Sequence, residues 1–185
     1  MSAHTDQRHA DHGQTGPTQD RERLGAPAAR MVLGVLRILF GLIFLWAFFD
    51  KTFGLGMATP SENAWVNGGD PTFGYLSNND GTFSSLFTGL AGQAWVTWLF
   101  MAGLLGIGIA LLTGAGMRIA GFTGALLYLF MWLAAFPLEN NPFVDDHLTG
   151  AVTVVLFALA GAGDTLGVGH WWKQTSLVQR LPILR

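Results

Sequence analysis

The chain contains no cysteine among its 185 residues. That absence excludes disulfide bonds, thiolate metal sites, iron–sulfur clusters and covalently attached c-type haem. It also excludes a persulfide intermediate on the protein. We find no sequence feature of a haem, iron–sulfur or flavin site and predict no metal site.

Charge is also scarce. Only 12% of the residues are charged and half are hydrophobic, whereas soluble domains carry about 25% charged residues. The mean hydropathy is +0.38, and the charges leave long stretches without any. These features predict an integral membrane protein. A net charge of −2 gives no indication of a nucleic-acid partner.

Four segments have the length and composition of membrane spans, which need about 20 apolar residues. They cover residues 31–49, 95–113, 117–136 and 142–163. We therefore predict an all-α membrane protein, a four-helix transmembrane bundle over residues 31–173.

Lysine and arginine are distributed unevenly between the connecting segments. They are frequent in residues 1–30, predicted to be a disordered tail, and recur at Arg118 and in a C-terminal tail of residues 174–185. The connection 50–94 has only Lys51. Because positive charge favours the cytoplasmic side, we expect both termini in the cytoplasm.

The long connection 50–94 is rich in apolar residues for a free linker. Phe83, Leu86, Phe87 and Leu90 follow helical spacing. We predict a partly helical outer loop that caps the bundle between helices 1 and 2. The alternative is an anchor lying on lipid headgroups.

The fourth segment opens with the sequence ENNPFVDDHLTG. Asn141 and Pro142 are typical of an N-cap and a first helical position. Asp145 and Asp146 would then lie near the positive end of the helix dipole. Helix capping alone accounts for these acids, and a functional role for Asp146 remains open beside it.

Two charges within the spans need partners. Arg37 is on the Gly34/Gly41 face of the first span, and Asp164 lies toward the same side of the membrane. Charges in a span usually face the bundle with a partner, so we predict an Arg37–Asp164 ion pair. The alternative is that Arg37 snorkels to the headgroups.

The third span places Tyr128 and Trp132 one turn apart on a face that leads to Glu139. Two aromatic side chains above a carboxylate could form a slot for a flat ring. Packing or an aromatic belt is the alternative.

RILFGLIFLWAFFDK at the first span resembles the first helix of the DoxX-like membrane protein family. ENNPFVDDHLTGAVTVVLFALAGAGDTLGVGHWW resembles the last helix of its DoxD branch, the membrane subunit of thiosulfate:quinone oxidoreductase. The resemblance covers about residues 31–173. It implies a four-helix bundle in the bacterial plasma membrane that oxidises thiosulfate and passes electrons to quinone.

On that reading the site lies at the outer end of the bundle. Lys51 and Asn140 would bind the small oxyanion, and a bound quinone would lie near Tyr128 and Trp132. Protons would be handled by three further residues, Asp146, His147 and Glu139. Histidine suits this role because imidazole exchanges protons near neutral pH. Asp145 is expected to be mainly structural.

The alternative is a non-catalytic membrane anchor or assembly subunit of a redox complex. The polar outer end would then combine helix capping with a docking surface. A second redox subunit or a second copy of the chain would be its partner, with membrane lipid around it. A proton-coupled transporter is a weaker third interpretation.

Overall fold

Helices account for all the regular secondary structure in the computed structural model, which describes residues 26–185. The all-α prediction is confirmed for this part of the chain. The α-helices are α1 Pro27–Phe53, α2 Phe73–Ser77, α3 Ser84–Leu90, α4 Ala94–Thr113, α5 Met117–Ala134, α6 Asp146–Leu159, α7 Gly169–Trp172 and α8 Ser176–Arg180. Short 3₁₀ turns occur at Ser61–Asn63, Trp65–Asn67, Ala162–Asp164 and Pro182–Leu184.

Three helices, α1, α4 and α5, are long and apolar enough to cross a membrane. They match the first three predicted spans and make the chain a candidate multi-pass membrane protein. The first helix begins at Pro27, so the predicted tail of residues 1–30 ends earlier than expected. Its residues 1–25 lie outside the described part of the chain.

The fourth predicted span is shorter than expected. Helix α6 has 14 residues, or about 21 Å at 1.5 Å per residue, below the roughly 30 Å of a bilayer core. Asn141 and Pro142 do not start it, because the Asn141 side chain accepts the amides of Phe143 and Val144 in a separate turn. At the other end the backbone leaves the helix at Gly161, which has a φ of 64°.

The principal helices pack side by side in chain order. Helix α1 lies against α4, α4 against α5, and α5 against α6. Their common core contains Phe44, Met101, Leu111, Val154 and Phe157. Small residues allow close approach: a Cβ at Gly41 would lie 2.8 Å from the Leu112 nitrogen, as expected where membrane helices pack on small side chains.

The predicted Arg37–Asp164 pair is wrong, and so is the snorkelling alternative. Arg37 is fully buried, with 0% exposure. Its guanidinium donates to five backbone carbonyls, those of Leu111, Leu112, Ala162, Thr165 and Leu166. Carbonyls at a helix C-terminus lack partners within the helix and carry partial negative charge. Arg37 therefore joins the end of α4 to the segment after α6 without a carboxylate.

Asp164 pairs instead with Lys173, whose Nζ lies 2.7 Å from Asp164 Oδ2. The pair is more than a third exposed. Because α6 ends at Leu159 and a 3₁₀ turn follows, Asp146 and Asp164 do not share one continuous helical face.

The segment 174–185 folds back onto the bundle. Val178 is fully buried, and the Trp172 indole donates to the Leu184 carbonyl at 2.6 Å. The Arg118 amide donates to the Arg185 carbonyl at 2.8 Å. The C-terminal residues therefore cover the start of α5.

Candidate functional site

The connection between α1 and α4 forms a cap over the helix ends. It is partly helical, through α2, α3 and two 3₁₀ turns, as predicted. Phe87 is buried on the helix that its spacing indicated. It packs with Leu76 and Ala134 in a second small core.

The buried side chain of Asp50 holds the first residues of this cap in place. Asp50 is 2% exposed, at the end of α1. Its carboxylate accepts the amides of Met57 and Ala58 at 3.2 and 3.1 Å. The chain therefore turns back tightly over the helix end, and this negative charge is satisfied within the cap.

Asp70 fixes the middle of the cap to α4. Its Oδ1 accepts the Thr97 hydroxyl at 2.7 Å, the Thr72 hydroxyl at 2.8 Å and the Thr72 amide at 2.9 Å. Burial by itself would raise the pKa of Asp70, but the hydrogen bonds from Thr97 and Thr72 together outweigh it and lower the pKa. Asp70 is therefore an ionised carboxylate whose donors come from the protein.

The cap is also attached to the C-terminal end of α5. The Asn79 side-chain amide donates to the Ala134 carbonyl at 2.7 Å, and the Thr82 backbone amide donates to the Phe136 carbonyl at 2.9 Å. The Tyr75 hydroxyl lies 3.5 Å from the Met131 carbonyl. These contacts hold the cap against the last turn of α5 and the residues just after it.

Two cavities lie under the cap and share a wall. The first, of about 290 Å³, is lined mainly by apolar side chains of α4, α5 and the cap. The second, of about 580 Å³, is lined mainly by polar and small residues of the cap. Lys51, Pro71 and Tyr75 line both cavities. Together the two could accommodate a molecule with an apolar part and a polar part.

Lys51 is the cation at the junction of the two cavities. It is half-buried in the last turn of α1. Within residues 26–185 it takes part in none of the three ion pairs. The nearby carboxylates of Asp50 and Asp70 are held by cap donors. Lys51 is therefore available to a ligand, as its predicted anion-binding role requires.

Tyr75 connects the cavities with the start of α6. Burial raises its pKa, and the Asp145 carboxylate raises the pKa further. Tyr75 therefore keeps its proton at neutral pH, and its hydroxyl lies 3.5 Å from the Met131 carbonyl. No site role was predicted for Tyr75, one of the many apolar residues of the connection 50–94.

Asp145 is the N-cap of α6 and also contacts the histidine. Its Oδ1 accepts the Leu148 amide at 2.9 Å, and its Oδ2 lies 2.7 Å from His147 Nδ1. Burial raises its pKa, but the hydrogen bonds from Leu148 and His147 and the His147 charge lower it overall. The ionised Asp145 carboxylate therefore holds the His147 ring through Nδ1. The expected capping role holds, and Asp145 additionally orients His147.

Asp146 does not face the bundle. Its side chain is 92% exposed, and its carboxylate lies 3.5 Å from His147 Nδ1. The buried face of α6 carries Gly150, Ala151 and Val154. His147 precedes Gly150 by three residues and Ala151 by four, so it lies on the same face of the helix. Asp146 therefore points to solvent, whereas the centroid of the His147 ring lies 6.4 Å from that of the Tyr128 ring.

Tyr128 and Trp132 do not form the predicted slot above Glu139. Tyr128 packs on Phe44, with ring centroids 5.3 Å apart, and covers Gly150. Trp132 donates to the Phe143 carbonyl at 3.2 Å. Both side chains therefore serve packing, which was the alternative interpretation.

Glu139 and Asn140 lie on the exposed connection between α5 and α6. Helix α5 ends at Ala134, so Glu139 does not continue the Tyr128/Trp132 face. Neither residue lines the two cavities under the cap. They therefore have no part in the two cavities that Lys51 lines.

Asp145, Asp146 and His147 could each offer a ligand atom to a metal, since these atoms lie within 4.8 Å of one another. The three residues are consecutive, and Asp145 already caps the helix through Leu148. Helix capping accounts for this arrangement, which does not define a metal centre.

The chain was compared with protein-family models, curated proteins and solved structures, and no match was found. The class of the molecule therefore follows from its own features. Over residues 26–185 its regular structure is helical, with three helices suited to crossing a membrane and a structured cap over one end.

Proposed function

We propose that this chain is a quinone-linked oxidoreductase subunit that oxidises thiosulfate or a related small sulfur compound. The observation that supports it best is the pair of cavities under the cap, apolar and polar, which share Lys51 and Tyr75. The proposal agrees with the DoxX-like resemblance. The proposed quinone site lies at the cap and not at Tyr128 and Trp132, where the sequence analysis expected it.

The apolar cavity suits a quinone ring. Around it lie Trp95, Leu99 and Phe130, whose side chains are largely exposed. On membrane helices such side chains face lipid, so a lipid-dissolved quinone could reach the cavity from the side. Tyr75 and Lys51 would supply polar contacts to the ring oxygens, as expected for a mainly apolar site with a few placed polar groups.

The polar cavity suits a small anion. Thiosulfate is a dianion, and nearby carboxylates repel it. The carboxylates of Asp50 and Asp70 are engaged by donors of the cap and of α4, so Lys51 is the cation that the site offers to the anion. A charge-assisted contact of this kind is stronger than a neutral one.

The reaction requires protons at the quinone. Two thiosulfate anions that join through a new sulfur–sulfur bond release two electrons and no protons. A bound quinone takes up two electrons and two protons and becomes a quinol. Tyr75 at the cavity wall, with His147 oriented by Asp145, could deliver those protons from the outer solution.

The proposal includes a location and partners. The four principal helices would be embedded in the bacterial plasma membrane, with α6 and the turn after it as the short fourth crossing. Both termini would be cytoplasmic, so the cap would face outward. A second redox subunit or a second copy of the chain would complete the assembly.

The test measures quinone reduction by thiosulfate with the purified chain in nanodiscs. Lys51→Gln should raise the KM for thiosulfate by about tenfold or more, the scale of one lost charge-assisted hydrogen bond. Leu99→Trp should weaken quinone binding by filling the apolar cavity. Arg180→Gln, an exposed cation remote from the cap, is the control and should change neither. Equal effects of Lys51→Gln and Arg180→Gln would contradict the site.

A non-catalytic anchor or assembly subunit is the second candidate. It is favoured by apolar side chains on the cap outside the two cavities, since Leu55, Met57 and Val66 are 50%, 78% and 61% exposed. An exposed apolar patch on a cap is suited to a protein partner. A chain that binds quinone but reduces none without a co-purifying subunit would support this candidate.

A further inference from the structure

A third cavity, at the end of the molecule opposite the cap, collects positive charge. It measures about 230 Å³ and lies between the start of α5 and the end of α6. Arg118, Lys173 and Arg185 line it. They come from three different parts of the chain, so the fold and not the local sequence brings these cations together.

The start of α5 adds to this positive field. The helix begins after Gly116, whose position provides no side-chain cap. The first amides of an α-helix lack intrahelical acceptors and carry partial positive charge. In an 18-residue helix this end attracts anions, and here it coincides with the three cations.

The nearby opposing charge is limited. Asp164 pairs with Lys173 at 2.7 Å, and both side chains border Gly161 in the cavity wall. Arg118 donates through Nη1 to the Pro182 carbonyl at 3.0 Å, and its guanidinium has further donors. The main-chain carboxyl group of Arg185 also lies here, since its oxygen accepts the Arg118 amide at 2.8 Å. Three cations against this group and Asp164 leave a surplus of one positive charge.

The position of the cavity along the membrane normal matches the membrane surface. Its wall includes Met117 and Ala158, together with Leu159, whose side chain is 82% exposed. Arg118 stands at the first turn of a helix suited to crossing the bilayer. The cavity therefore lies where apolar side chains give way to cations, which is the level of lipid headgroups.

We propose that this cavity binds a phosphate group. The group is either the headgroup phosphate of an anionic phospholipid or a free phosphate. Basic cavities between membrane helices recognise anionic headgroups through the same charges. The proposal is independent of the chemistry under the cap.

The test is native mass spectrometry of the full chain released from nanodiscs of phosphatidylglycerol and phosphatidylcholine. The chain should retain phosphatidylglycerol preferentially. Lys173→Gln should lower that retention by about fivefold, the scale of one Lys or Arg near a membrane surface. Asp164→Asn should raise it, because it removes an opposing carboxylate. Arg180→Gln, an exposed cation outside the cavity, should leave it unchanged.

A second arm distinguishes the sources of phosphate. Inorganic phosphate is titrated calorimetrically into the chain in pure phosphatidylcholine nanodiscs. Binding there that Lys173→Gln abolishes indicates free phosphate, and preferential lipid retention without such binding indicates the headgroup. Absence of both overturns the proposal. Equal effects of Lys173→Gln and Arg180→Gln, or weaker retention in Asp164→Asn, overturn it as well.

Discussion

Replacement of Arg37 by leucine should destabilise the chain strongly. The side chain is fully buried and donates to five backbone carbonyls on two segments. Leucine occupies part of the volume but donates no hydrogen bond. The carbonyls at the end of α4 and after α6 would then remain buried without a donor.

The expected loss in the free energy of unfolding is about 3–5 kcal/mol. An unsatisfied buried polar group costs about 1–3 kcal/mol. Five carbonyls lose their donor together, and their costs do not simply add because neighbouring groups can relax, so we expect about 3–5 kcal/mol in total. The free energy of unfolding of an Arg37→Lys variant should lie between those of the arginine and leucine forms, since lysine keeps the charge but has fewer donors.

The assay is thermal unfolding in mild detergent, where a loss of about 3–5 kcal/mol corresponds to a fall in Tm of about 10 °C for a chain of this size. Asp164→Leu alone should cost at most about 1 kcal/mol, because its pair with Lys173 is exposed. The double replacement of Arg37 and Asp164 should restore nothing. Rescue in the double variant, or a loss below about 1 kcal/mol for Arg37→Leu, would refute the carbonyl network.

Two further predictions concern the outer end and the topology. The pKa of Asp145 is lowered in the folded chain, so its contribution to stability is present above the ordinary aspartate pKa of about 3.9 and is lost as the pH falls through the lowered value. Asp145→Asn should therefore flatten the acid limb of a stability–pH profile, whereas Asp146→Asn, at a 92% exposed side chain, should preserve it. Asn78→Cys should react with an impermeant thiol reagent in whole cells and Gln174→Cys should not; the opposite labelling would reverse the proposed orientation.

Composition and periodicity were sufficient for the long elements. Helices α1, α4 and α5 end within a few residues of their predicted limits because uninterrupted apolar runs have few alternatives to a helix. The predicted stripe of α1 was Gly34, Arg37, Gly41, Phe44, Phe48 and Lys51. The first four residues are buried and the last two are partly buried. A helical period defines a face before any partner is known.

The start of α6 was predicted less accurately. Both Asn141 and Asp145 can cap a helix, and local sequence does not decide between them. Asp146 is exposed and His147 lies against Tyr128 of α5, because the packing of α6 on α5 and not the first residue of the helix decides which side chains are covered. The connection after α5 leaves the helix at Ala134 and so separates Glu139 from Tyr128.

The sequence by itself determined that this chain forms apolar helices with charges at their ends, because hydropathy and helical period are properties of neighbouring residues. Only the tertiary structure decided which charges meet. Arg37 bonds with carbonyls more than 70 residues away, and Lys51 shares two cavities with Tyr75. Arg118 and Lys173 line one basic cavity. Such partners are chosen by the packing of distant segments and by backbone groups that are the same in every residue, so no local pattern in the sequence specifies them.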